Sequence, residues 1–206
     1  METALRAGIA VYNDGHYHAA HDAWEAHWLD LESGTGDEVL LHGLIQFTAA
    51  VHHAHGRNWE GAVGLAESAR DYLADLPADY RGCNVGAARR FLAALAADPE
   101  LVERRRPLSL SHEGTILTLS DCSPAEIAVA ATVLADEWGY DEGVVERAGE
   151  YALTGAERDR TGTPFRALLR DFVAGDAKNR DIAYQRLRQR VDRRDSTIAD
   201  VEGLFE

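Results

Sequence analysis

The chain has 206 residues, 46% hydrophobic and 27% charged, and its 35 acidic against 21 basic side chains give a formal charge of −14. That is a globular composition, and no apolar run approaches the roughly 18–20 residues a membrane span needs. Its two cysteines, Cys83 and Cys122, stand far apart in sequence, which excludes a disulfide scaffold and a cysteine-rich zinc site and makes a cytoplasmic location the expectation.

Residues 3–12 place Leu5, Ile9 and Tyr12 on one helical stripe, and Asn13-Asp14-Gly15 reads as a turn. A second helix, about 16–32, sets Tyr17, His21, Trp24, Trp28 and Leu31 three or four residues apart, on one face. His21 is expected in the middle of that tryptophan face. A third helix, about 38–55, starts at a cap expected from Asp37, is apolar almost all round and is therefore central; Gly56 is expected to end it. Asn58 opens a fourth helix to about Leu76, with Ala62, Leu65, Ala69 and Tyr72 on its buried stripe. Asn84 is expected to cap a fifth from Val85 to Ala97. Short connections favour antiparallel neighbours, so an all-α, up-and-down helical bundle is predicted.

Residues 98–123 change character. Arg104-Arg105-Arg106-Pro107 is a polar connection, and LSLSHEGTILTLS alternates like a short hairpin or irregular arm near 107–120. Ser123-Pro124-Ala125-Glu126 then combines a cap, a proline at the first helical position and a capping-box glutamate. Additional C-terminal helices are expected at about 124–138, 141–152, 164–174 and 177–194, with a short one near 198–204. The organisation predicted is a bundle over 1–98, a connecting arm over 99–123 and a helical region over 124–206, separate or packed on the first.

Eight of the nine histidines lie between residues 16 and 55. His21 and Glu25, four apart, meet on adjacent turns and offer an imidazole and a carboxylate to one divalent ion. His18 lies one turn earlier; His16 and His27 are read as surface residues. On one side of the third helix His42, Gln46 and His53 alternate with the small residues Gly43, Ala49 and Ala50, which permit close approach. Bundles build metal sites from ligands on facing helices. The expected metal ligands are therefore His21 and Glu25, with His53 and His18 completing the shell. Gln46 would orient a ligand or water, and Trp24, Trp28 and His42 would support the site. The ion would be Zn, Mn, Fe or Ni. The same residues also suit a metal-free polar network of His21, Glu25 and Gln46 that fixes helix register.

Tyr12-Asn13, Gly15, Tyr17, His21-x-x-x-Glu25-x-x-Trp28, Leu44-Ile45-Gln46, Ala49-Ala50, His53, Gly56-x-Asn58 and Gly61-Ala62, in that order, resemble the family called domain of unknown function 309. The resemblance spans roughly residues 12–97 and implies an all-α bundle whose signature, with a metal-binding role suggested for it, falls on His21, Glu25 and Trp28, with Gln46 and His53 in the companion helix. The family commonly has a glutamate after the histidine, where this chain has Asp22. Residues 110–206 have no counterpart in the family pattern, and the resemblance implies no reaction.

Of the 21 basic residues only Lys178 is lysine. Acid excess with almost no lysine resembles proteins that work in molar salt, where charge is screened within about 3 Å, and points to a halophilic archaeal source. Residues 178–194 are locally basic, with Tyr184, Leu187 and Val191 as their apolar stripe. They suit pairing with the protein's own acidic faces better than nucleic acid. No serine lies in a G-x-S-x-G context and no GxxxxGK[ST] or GxGxxG is present, so no nucleotide cofactor is expected. Three functions follow: a divalent-metal protein that activates water, a non-catalytic interaction or oligomerisation module, and a nucleic-acid-associated protein acting through 178–194. The partner expected is a small molecule or protein, including a second copy of the chain, and no membrane.

Overall fold

The structure, a computed structural model, describes residues 1–154 and 163–202. Among these the fold is all-α, as the apolar periodicities predict, with strand only in one two-stranded hairpin. None of the described helices is long and apolar enough to cross a membrane. The chain divides into two compact units, Met1–Asp121 and Cys122–Glu206.

The first unit holds α1 (Glu2–Asn13), α2 (Tyr17–Trp28), α3 (Gly36–His55), α4 (Trp59–Tyr72) and α5 (Val85–Ala97), each packed on the next. Helix α3 is central because it has apolar side chains for both neighbours; Leu40, Leu41, Leu44, Phe47 and Val51 are fully buried. Close approach is set by glycines. A Cβ on Gly8 would stand 2.1 Å from the Trp24 Nε1, and one on Gly43 would stand 2.5 Å from the Leu73 Cδ2. The buried face of α2 is Ala19, Ala20, Ala23 and Trp24. His21 therefore sits half-buried at its margin rather than in the middle of the tryptophan face.

Two of the expected caps differ. Thr35, not Asp37, caps α3, its hydroxyl accepting from the Glu38 N–H at 3.3 Å. Asp37 instead accepts from Tyr80 and from Arg81, whose guanidinium holds the carboxyl below its ordinary pKa. Asn84 stands at the start of α5 without capping it. Its amide accepts from the Ser111 N–H at 2.9 Å and donates to the Ser109 carbonyl at 3.2 Å. Asn58 does cap α4, and Gly56 ends α3, but the left-handed residue there is Arg57, with φ 57°.

After the short α6 (Leu101–Arg104) come β1 (Ser111–His112) and β2 (Thr115–Ile116), antiparallel with Ser111 opposite Ile116. This arm packs back on the bundle. Asn13 donates to the carbonyls of Leu110 and Leu117, both at 2.8 Å, and accepts from the Leu110 N–H at 2.9 Å. Buried His112 lies 3.1 Å from both Glu2 and Arg6.

The second unit contains α7 (Pro124–Glu137), α8 (Glu142–Thr154), α9 (Thr163–Ala174) and α10 (Ala177–Glu202). The capping box expected at Ser123 and Glu126 is formed. The core centres on Phe172, ringed by Trp138, Tyr140 and Tyr184. Helix α10 is continuous where a break before 198 was expected, and residues 203–204 of that last predicted helix lie outside the described residues.

Candidate metal centre

Helix α2 runs antiparallel to α3. Near one end Trp28 packs on His42, ring centroids 4.6 Å apart, and near the other His18 meets His52 at 6.1 Å. Both contacts pair residues whose numbers sum to 70, so this register sets Ala49 opposite His21, and Ile45 and Gln46 opposite Glu25 and Trp24.

His21, Asp22 and Glu25 each bring one ligand-type atom to within 4.8 Å of the others. They are the group of this kind found among the described residues. All three are half-buried. Ligands of one tetrahedral first-row ion lie about 3.3–3.6 Å apart, given bonds of about 2.0–2.2 Å. Side-chain rotations that move the ligand atoms by up to about an ångström would close the group to that span, and one imidazole with two carboxylates is a donor set such ions accept.

Without a cation the group is held by hydrogen bonds. His21 Nδ1 lies 2.9 Å from Asp22 Oδ1, and His18 Nδ1 lies 3.1 Å from Asp22 Oδ2. The hydrogen bond to Asp22 raises the His21 pKa above its ordinary value; burial opposes this, and the charges of Glu25 and Asp22 add to it. For Asp22 burial acts upward, but the hydrogen bond with His21 and the proximity of His18 together hold its pKa below the ordinary value.

The other residues expected at the site are placed as follows. His18 is exposed and reaches the group through Asp22. His53 lies outside the group: its Nδ1 is 2.7 Å from the Asn58 side-chain nitrogen at the α3–α4 corner. Gln46 is half-buried on α3 at the register position given above. Trp24 is fully buried and donates to the Leu5 carbonyl, so it acts in the core. Trp28 donates to Glu38 at 2.8 Å, the main cause of that carboxyl's lowered pKa. His42 lies between Trp28 and Tyr72, with the Tyr72 ring centroid at 3.8 Å. His27, expected at the surface, is half-buried with its Nε2 enclosed and unpaired, and burial lowers its pKa.

Asp22 is the member that spacing missed, because neighbours i and i+1 are not taken to face one another on a helix. The one available signal was chemical: the resemblance puts a carboxylate at that position.

No curated protein matches this chain. Residues 5–65 match the family model described as Domain of unknown function (DUF309), a stretch that takes in the whole His21–Asp22–Glu25 group and supports the family resemblance.

Proposed function

We propose that the first unit binds a divalent cation through His21, Asp22 and Glu25, with coordination positions left for water or a ligand. The observation that carries this reading is the convergence of an imidazole and two carboxylates within 4.8 Å on one half-buried helical margin. His18 would orient Asp22. A cation held by three protein ligands acidifies bound water and polarises a bound oxygen, which is hydrolytic chemistry. Zn, Mn, Fe and Ni all suit the donor set. The acid excess and single lysine fit a protein that works at high salt.

Elemental mass spectrometry of untagged protein tests the reading. Near-stoichiometric metal is expected in the native chain, with loss of most of it in the His21→Ala/Glu25→Ala double variant. Asp22→Asn should lower occupancy while the fold is kept. Absence of metal from the native protein, with a lower melting temperature for the double variant, would make the group a structural network instead.

The pH dependence has a definite sign. His21 has a raised pKa in the folded metal-free protein. Its contribution to stability is present in full below about pH 6.5, the ordinary histidine value. It is lost as pH rises through the raised value. Metal uptake needs the neutral imidazole and runs the other way. The thermal stabilisation by added Zn²⁺ or Mn²⁺ should therefore grow with pH across that range while the metal-free protein loses stability. A stabilisation independent of pH would remove His21 from the ligand set.

A further inference from the structure

Beside the start of α2 the first unit has a second concave feature, a cleft of about 540 Å³ between the α1–α2 turn and the arm that follows α6. That volume is in the range of small-molecule sites. One wall is aromatic. Tyr17 and His55 stack with ring centroids 5.3 Å apart and planes 8° from parallel. Behind them Tyr12 lies 5.2 Å from Tyr17 and 5.3 Å from Phe47, so a ladder of rings runs from the core to the cleft. Tyr12 is fixed by donating to the Leu108 carbonyl at 2.8 Å. The aromatic wall is thus built on the core.

The cleft is also lined by Arg104, Arg105 and Arg106, in a chain with 21 basic residues against 35 acidic ones. Arg104 is occupied by Asp98 and Glu100. Arg105 and Arg106 have no carboxylate partner among the described residues; Arg105 lies over the Phe91 ring at 5.9 Å. Of the acids at the cleft, Glu103 is paired with Arg57 at 2.8 Å and Asp14 lies 3.5 Å from His16. Arg106, with no ion-pair partner among the described residues, and Arg105, which has none but lies over Phe91, line the same cleft as the Tyr17–His55 stack; that pairing favours a planar ligand with one anionic group, since guanidinium matches phosphate and carboxylate oxygens in pairs. Asp14 on the rim disfavours a polyanion.

We propose that this cleft binds a small aromatic anion of the aryl phosphate or phosphonate class. The anionic group sits on Arg105 and Arg106, and the ring extends the Tyr17–His55 stack. This site does not depend on the cation at His21, Asp22 and Glu25.

The test is an NMR titration of ¹⁵N-labelled full-length protein, freed of metal with EDTA, against phenylphosphonate, with methylphosphonate as the control lacking a ring. Saturable shifts are expected at the amides of Asn13–Tyr17 and Val102–Arg106, with methylphosphonate at least tenfold weaker. Arg105→Ala/Arg106→Ala should weaken phenylphosphonate at least tenfold, and Tyr17→Leu should bring the two ligands close to equal affinity. Both arginines are exposed, so the double variant keeps the fold. Absence of saturable shifts, or equal binding by the native protein and the arginine variant, overturns the proposal. Because no metal is present, neither outcome bears on the cation site.

Discussion

Trp24→Ala is expected to cost the first unit roughly 3–5 kcal/mol, the usual range for removing a large buried aromatic side chain. Trp24 has no exposed surface and donates to the Leu5 carbonyl at 3.3 Å. Gly8 passes over its ring so closely that no other residue fits there without displacement. The indole therefore fills the space where α1 crosses α2 at Gly8, and the alanine variant leaves a cavity there. Chemical denaturation followed by circular dichroism measures the loss. A change below about 1 kcal/mol would mean that α1 collapses onto the alanine face of α2 and that the indole is dispensable.

The second large effect is expected at Asn13. Its amide nitrogen donates to two backbone carbonyls of the arm and its oxygen accepts from a third backbone group. Asn13→Asp keeps the shape and turns the donor into an oxygen facing two carbonyl oxygens. A part-buried group that loses its hydrogen bonds costs about 1–3 kcal/mol, and more when charged. A loss of about 2–3 kcal/mol is expected, recovered in part at low pH where the introduced carboxyl is protonated. Hydrogen exchange should report it first at Leu110, whose N–H donates to the Asn13 side-chain oxygen and would lose that acceptor as the arm moves off α1. Unchanged protection there would show that the arm holds without Asn13.

Much of this architecture was legible because it is written in apolar spacing. The five helices of the first unit and the capping box at Ser123 follow from periodicity and local chemistry, which need no knowledge of distant residues. The long-range contacts that spacing missed share a cause. Asn13, Asn84 and Asp37 carry side chains that signal turns and caps, and each was assigned a local role. In the fold each serves a distant segment: Asn13 and Asn84 hold the arm, and Asp37 holds Tyr80 and Arg81. Polar side chains that clamp remote backbone look the same in sequence as those that cap the next turn. At the candidate metal centre the His21–Glu25 spacing was visible for the same reason the helices were. Asp22 was not, because its part depends on a rotamer that brings a neighbouring carboxylate back over His21 and His18.

The bonds from Asn13 to Leu110 and Leu117 join residues about a hundred positions apart, and His112 adds a similar span to Glu2 and Arg6. On the ribosome this has a consequence for timing. The first helix of this unit to emerge must wait for its clamp until nearly the whole unit has been synthesised, and contacts of such long range are the slow ones to close. Until then the last turn of α1 keeps an unanswered amide, and the ring ladder from Phe47 to Tyr17 lacks the carbonyl that anchors Tyr12. The residues that clamp α1 all lie between Leu108 and Leu117, near the end of the first unit, so a nascent chain halted before the hairpin would hold its helices without their lock.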